Sequence, residues 1–257
     1  MSFPIVPLLI SFWCGLSANP DYRVSDGDTV KHSGGALLLC DDAHIDNWYT
    51  FRDSFLKYDA SVTFFISHFH ELDSGRLAKL KILQDDGHEI AYHTLSHPWL
   101  DSSYTGTKLR EFLKTEIDSG MALMLKAGFD VKSFAFPGGY FTEEAADSVR
   151  QRFKAIRTFN YGFWEYWERR RSYTLSVSDS NSHFIPYGID HNSGFFSEEG
   201  WQLMLDDLKQ GIPVGLLFHK IDPEWEYGTD AEDLMRVIRD IHEAEIPFLT
   251  VGEFFKY

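Results

Sequence analysis

Five side chains of this sequence could together bind a metal ion and move a proton. Asp41 and Asp42 follow an apolar run, His93 and His97 are separated by three residues, and His219 ends the run VGLLFH. Adjacent carboxylates repel each other unless a cation or an unequal proton affinity separates their roles. Two imidazoles and a carboxylate form a set that suits Zn²⁺, with positions open for water and substrate. The alternative is a solvated turn at the aspartates and structural histidines.

The elements that must position these side chains alternate between short apolar strands and amphipathic helices. Strands are predicted at 35–41, 61–67, 89–93, 133–136, 155–158, 214–219 and 247–251, with an irregular segment at 163–192. Repeated strand–helix units predict an α/β domain with a parallel sheet, and this number of strands favours a barrel. The carboxyl ends of the strands would then bring the five side chains to one rim.

Composition excludes several classes of protein. The chain has 257 residues, with 24 Lys+Arg against 39 Asp+Glu and a net charge of −15. Such an acidic chain is not expected to bind nucleic acid, which requires clustered cations. No glycine-rich phosphate loop follows a predicted strand, so a nucleotide-binding fold loses support. Two cysteines do not define a disulfide framework.

The sequence divides into an N-terminal segment, 1–33, and one predicted barrel domain, 34–257. The run PIVPLLISFW in the first segment is too short to span a bilayer as a helix. It fits the apolar part of a secretory signal or an N-terminal membrane anchor, although no basic residue precedes it and two prolines interrupt it. The expected location is secreted, periplasmic or associated with the cell envelope, or cytoplasmic if this run is not a signal.

Four short motifs occur in a characteristic order: LLLCDDA, HTLSHP, FAFPGG and LLFH. This order resembles the polysaccharide deacetylase (NodB-homology) family of carbohydrate esterases over roughly Gly34 to Phe255. HTLSHP matches the family's His-[Ser/Thr]-x-x-His-Pro motif in full and is the most specific of the four. The resemblance implies a distorted (β/α) barrel of about seven to eight parallel strands. It also implies metal-dependent removal of acetyl groups, N-acetyl above all, from a carbohydrate polymer or oligosaccharide.

The resemblance implies a catalytic role for each of the five side chains. Asp41 matches the family's general base. Asp42, His93 and His97 match the ligands of one divalent metal ion, for which Zn²⁺ is the first choice. His219 matches the general acid.

Five further residues are expected to bind substrate. Leu217 matches a hydrophobic wall of the acetyl pocket, and Pro137 matches the proline of the family's Arg-x-Pro-aromatic motif. A backbone N–H near Gly138 would hold the oxyanion. Trp99 and Tyr140 adjoin motif residues, and their rings would pack on sugar faces. The alternative is that these rings fill the outer layer of the barrel.

The sequence departs from the family at the arginine of that motif, which is Ala135 here. In the family, this arginine orients the catalytic aspartate. Arg157 ends the next predicted strand and is the candidate replacement, so we expect its guanidinium to contact Asp41 directly. An ordinary surface ion pair is the alternative. The aromatic residue of the motif is replaced by Gly138.

Other functions stay open from the sequence alone. The chain could be an inactive relative that only binds carbohydrate, or a hydrolase of a non-sugar C–N bond. Non-haem Fe(II) oxygenases also use two histidines and a carboxylate, but their β-helical fold does not match this strand–helix alternation. The expected partner is an acetylated carbohydrate, and the oligomeric state is not predicted.

Overall fold

In the computed structural model, which describes residues 34–157, 183–184, 187–188 and 197–256, a parallel sheet forms the centre of the molecule. Eight strands of the described residues lie in the order β6-β5-β4-β3-β2-β1-β8-β7. They are β1 (Ala36–Asp42), β2 (Val62–Ile66), β3 (Glu89–Tyr92), β4 (Ser133–Ala135), β5 (Ala155–Arg157), β6 (His183–Phe184), β7 (Tyr187–Gly188) and β8 (Val214–Phe218). The fold is a distorted (β/α) barrel in one domain, as the sequence predicts.

Helices connect the strands and cover the outside of the sheet. Those of the described residues are α1 (Ile45–Thr50), α2 (Arg52–Lys57), α3 (Ser74–Asp85), α4 (Gly106–Phe112), α5 (Ser119–Lys126), α6 (Glu143–Arg150), α7 (Glu198–Lys209), α8 (Ala231–Glu243) and α9 (Val251–Phe255). A π-helical turn, Leu113–Asp118, joins α4 to α5. Thr142 and Ser197 cap α6 and α7, because each side-chain hydroxyl accepts a backbone N–H of the first helical turn.

Alternate residues of the strands fill the barrel interior. This inner cluster contains Leu37, Leu39, Phe65, Ala91, Ala135, Ala155 and Leu217, together with Val251 and Phe254 of α9. Because side chains alternate across a strand, the next inward position along four of these strands is polar. They are Asp41 after Leu39, His93 after Ala91, Arg157 after Ala155 and His219 after Leu217. An apolar barrel therefore ends in a layer of polar side chains.

Two of the predicted segments differ from the structure. The last strand, 247–251, is wrong: only Phe248 makes a parallel bridge, to Ala36. The chain then turns into α9, because Thr250 and Glu253 exchange the two hydrogen bonds of a capping box. The segment predicted to be irregular contains β6 and β7, which are two residues long each.

Two predictions concern residues outside the described part of the chain. They are the apolar run Pro4–Trp13 and the aromatic segment 159–167, which the sequence suggests as part of a sugar groove. Among the described residues, no helix combines the length and the apolar character needed to cross a membrane.

Candidate active site

The five catalytic candidates lie where neighbouring strands end. Asp41 and Asp42 are the last residues of β1, His93 follows β3, and His219 follows β8. Since the strands are parallel, these ends share one edge of the barrel, where barrel enzymes place their chemistry. The order of β3, β2, β1 and β8 in the sheet puts these residues on nearby strands.

Asp42, His93 and His97 form a cluster of metal-ligating type. One donor atom from each lies within 4.8 Å of the others. His97 Nε2 is 3.3 Å and His93 Nε2 is 4.0 Å from Asp42 Oδ1. Two imidazole nitrogens and a carboxylate oxygen match the donor set of catalytic zinc, so these residues fit a divalent ion.

His93 is held in the form that a metal ligand requires. Its Nδ1 lies 2.8 Å from the Ala135 carbonyl oxygen, which can only accept, so Nδ1 carries the proton and Nε2 has the lone pair. Burial, and secondly the Arg157 guanidinium, hold the pKa of His93 well below its usual value. The imidazole is therefore neutral at neutral pH, as ligation requires.

The backbone is strained at this cluster. Asp42, Thr94 and His97 have φ values of 86°, 67° and 58°. Non-glycine residues rarely adopt this left-handed region, and for a β-branched residue such as Thr94 it is a clear outlier. Strain of this kind persists only where the surrounding structure enforces it, and it is typical of functional sites.

Asp41 and Arg157 form a buried ion pair. Their side chains are 4% and 2% exposed, and Arg157 Nη2 donates to Asp41 Oδ2. The same carboxylate oxygen lies 3.5 Å from His93 Nε2. Within the described residues, Asp41 Oδ1 is buried and has no hydrogen-bond partner. A buried carboxylate oxygen without a donor is costly, so this atom has a vacant hydrogen-bonding position at the site.

His219 is fixed through its backbone. Its carbonyl oxygen accepts from Trp48 Nε1 at 2.8 Å and from Cys40 Sγ at 3.1 Å. Its half-buried ring has its centroid 6.2 Å from that of Trp225. His44 packs on the same tryptophan, at 4.6 Å.

His44 is a site residue that sequence reasoning missed. Its Nε2 lies 3.8 Å from Asp42 Oδ2. Burial lowers the pKa of His44, although Asp42 opposes this shift. The only signal for it was its position two residues after the aspartate pair.

The expected substrate-binding residues occupy two layers. Leu217 is buried in the barrel interior, and Pro137 is buried in the turn after β4. Trp99 and Tyr140 are 61% and 47% exposed, with ring centroids 5.5 Å apart and planes inclined by 33°. They form an exposed aromatic pair beside the motif residues, so they do not belong to the core.

Residues 31–152 match the family model described as polysaccharide deacetylase. The matched segment belongs to the polysaccharide deacetylase family. The resemblance predicted from the four motifs is confirmed. No curated protein sequence matches the chain significantly.

Solved structures of related fold cover most of this chain. Peptidoglycan deacetylase PdaC from Bacillus subtilis is 18% identical with a TM-score of 0.53, covering 89% of this chain and 93% of its own. A family 4 carbohydrate esterase from Bacillus anthracis is 21% identical with a TM-score of 0.53, covering 88% and 84%. BA3943, described as a CE4 family pseudoenzyme from Bacillus anthracis, is 17% identical with a TM-score of 0.53, covering 87% and 66%. At these identities the similarity supports the fold.

The structure explains both departures from the family motif, Ala135 and Gly138. Ala135 and Arg157 are register partners on β4 and β5, so the arginine lies one strand away at the same level. Gly138 has φ 60°, and an added Cβ would lie 3.1 Å from the Tyr140 ring and 3.3 Å from the Trp99 ring. A left-handed backbone beneath two rings explains why glycine replaces an aromatic residue here.

Proposed function

We propose that this chain is a metal-dependent hydrolase that removes acetyl groups, N-acetyl above all, from a carbohydrate polymer or oligosaccharide. The observation that carries the proposal is the Asp42–His93–His97 cluster beside Asp41, a buried carboxylate with one unpartnered oxygen. Family membership supports the deacetylase class.

Asp42, His93 and His97 would hold one divalent ion, for which Zn²⁺ is the first choice given two nitrogen donors and one oxygen donor. Such an ion, when bound, polarises an acetyl carbonyl and lowers the pKa of water from about 16 toward about 7. Burial keeps the His93 imidazole neutral, and the Ala135 carbonyl oxygen orients it.

Asp41 and His219 divide the proton transfers. Asp41 Oδ2 is held by Arg157, so the open Oδ1 takes the proton of the attacking water. His219 follows β8, which pairs with β1 on the side away from β2. It donates a proton to the leaving amine, which is too basic to depart unprotonated. A backbone N–H near Gly138 holds the developing oxyanion. The products are acetate and a free amino sugar.

Substrate recognition is assigned to the residues around this chemistry. Leu217 and Pro137 form the apolar side of the acetyl pocket. Trp99 and Tyr140 offer exposed ring faces to the sugar. Aromatic side chains supply large contact areas at low entropic cost, which suits the flat apolar faces of a pyranose.

The test combines metal analysis with acetate release from a panel of acetylated oligosaccharides and small amides. We expect about one zinc ion per chain and release from the oligosaccharides. His93→Ala should lose both the metal and the activity. Release from small amides alone would replace the sugar assignment by a non-sugar C–N bond. Purified protein without any bound divalent metal and without hydrolysis would refute the proposal.

A second candidate, a carbohydrate-binding protein without turnover, is favoured by the loss of the motif arginine at Ala135. The Arg157–Asp41 contact argues against it, because a guanidinium is retained at the catalytic carboxylate. Sugar binding by the metal-loaded protein without acetate release would decide for this second candidate.

A further inference from the structure

A single carboxylate from outside the metal cluster holds the loop that connects His93 to His97. Glu116 Oε2 accepts the backbone N–H groups of Leu95, at 3.0 Å, and Ser96, at 2.8 Å. Glu116 Oε1 accepts the Ser96 hydroxyl at 2.7 Å. Three donors of one short loop therefore converge on one side chain.

This loop needs such an anchor because its backbone is strained on both sides of the contact. Thr94 and His97 have positive φ values, of 67° and 58°. Inside the loop, the Thr94 hydroxyl accepts the His97 N–H at 3.1 Å. The N–H groups of Leu95 and Ser96 lie between these residues, and successive N–H groups in such a turn favour an anion.

The helix that carries Glu116 is shaped for this contact. Glu116 belongs to the π-helical turn 113–118, and such turns often mark functional positions. The Tyr92 hydroxyl, one residue before His93, donates to the Glu116 carbonyl oxygen. A Cβ at Gly120 would lie 1.7 Å from the Tyr92 hydroxyl oxygen, so glycine is required for this close approach.

We propose that Glu116 is a positioning residue for the metal site: its three hydrogen bonds set the geometry that lets His93 and His97 bind one ion. This inference rests on the metal site of the proposed function and adds a residue that contacts neither the ion nor the substrate. Outer groups that orient metal ligands typically change metal affinity 10–100-fold.

The test measures the zinc dissociation constant by competition with a chelator, well below the unfolding temperature of every variant. Glu116→Ala should weaken zinc binding about 10–100-fold. Glu116→Gln should bind zinc as tightly as wild type, because its amide oxygen accepts both N–H groups and its NH₂ donates to the Ser96 hydroxyl. The visible spectrum of the Co²⁺-loaded protein should change in Glu116→Ala and be preserved in Glu116→Gln.

Glu111→Ala is the matched control. Glu111 is an exposed glutamate one helical segment earlier, and its carboxylate has no hydrogen bond or ion pair among the described residues. Its removal takes away the same charge from the same helical region, so zinc affinity should be unchanged. If Glu116→Ala fails to fold, Ser96→Ala takes its place. This variant removes one of the three hydrogen bonds and should weaken zinc binding about threefold.

Two results would overturn the inference while leaving the proposed function intact. One is wild-type zinc affinity in Glu116→Ala or, where that variant does not fold, in Ser96→Ala. The other is a loss in Glu116→Gln as large as in Glu116→Ala, which would assign the effect to charge. Wild-type protein that binds no divalent metal would overturn the proposed function and this inference together.

Discussion

The two edges of the barrel treat a carboxylate in opposite ways. At the carboxyl edge, Asp41 is 3% exposed, yet only one of its oxygens has a partner among the described residues. At the amino edge, Glu89 is half-buried and both of its oxygens accept hydrogen bonds. The donors are Ser133 Oγ for Oε1, and Thr63 Oγ1 at 3.2 Å and Gly252 N at 2.8 Å for Oε2.

The more deeply buried carboxylate is therefore the less satisfied one, which stability alone does not favour. The amino edge is closed by α9, whose Val251 and Phe254 enter the barrel interior. The hydrogen bonds of Glu89 fasten α9 to the strands. The amino edge therefore serves stability, while the carboxyl edge leaves hydrogen-bonding capacity for chemistry.

Asp41→Asn should have the largest effect, a loss of turnover of about 10²–10⁴-fold. The amide oxygen can still accept from Arg157, but the side chain cannot take a proton from water. Zinc content and kcat are measured on the same samples. Glu89→Gln, at the other edge, is the control and should turn over normally. Near-normal turnover in Asp41→Asn would show that Asp41 is not the general base. Loss of zinc from this variant would show that Asp41 is a metal ligand.

The amino edge should set the acid stability through His88. This histidine is buried, its Nδ1 accepts from the Val62 N–H at 3.0 Å, and burial lowers its pKa to about 4. The unfolded chain has the usual pKa of about 6.5, so protonation favours unfolding. Stability from this group is complete above pH 6.5 and is lost as the pH falls to about 4, by about 3 kcal/mol in total.

Urea unfolding across this pH range measures the effect. His88→Gln is the comparison, because its amide oxygen can accept from Val62 and does not titrate. The stability of the variant should depend less on pH between 6.5 and 4 than that of wild type. Parallel curves for the two proteins would contradict the assignment.

Glu89→Ala should lower the free energy of unfolding by about 2 kcal/mol, because it removes the carboxylate that accepts from Ser133, Thr63 and Gly252. The site at the opposite edge is untouched, so kcat per folded molecule should not change. Chemical denaturation and kinetics at low temperature measure the two quantities. A fall in kcat of the folded variant would show that the amino edge also contributes to catalysis.

Arg157→Lys should have the smallest effect, a loss of turnover of about tenfold with unchanged zinc affinity. Lysine keeps a positive charge beside Asp41 but replaces the planar guanidinium by a point charge, so the carboxylate is oriented less well. Arg157→Leu should lose more activity than Arg157→Lys. Equal turnover in wild type and both variants would show that the orienting role lies elsewhere.

The parallel barrel and the convergence of its strand ends could be predicted because both depend on local patterns. Apolar runs separated by helical segments specify the strands, and HTLSHP places two imidazoles at one of their ends. Arg157 could be found because it ends the strand after Ala135, and the structure places its guanidinium on Asp41.

The interactions that hold the loop between His93 and His97 in place could not be predicted from local patterns. Glu116 lies in a π-helical turn, and such a turn leaves no mark in the spacing of apolar residues. Its contacts with Leu95 and Ser96 depend on a loop geometry that only tertiary packing defines. The apolar, β-branched run PFLTV predicts a strand over 247–251, whereas the capping pair Thr250 and Glu253 starts helix α9 at Val251.

The central claim is that a metal held by Asp42, His93 and His97 serves hydrolysis by Asp41. It is tested most directly by zinc titration of the metal-stripped protein, with acetate release from an acetylated oligosaccharide as the readout. The account predicts no acetate release by wild type without zinc and full release near one equivalent. Zinc-loaded Asp41→Asn should release acetate only at its residual rate, about 10²–10⁴-fold below that of wild type. Equal acetate release by the stripped and the reloaded wild-type protein would contradict it.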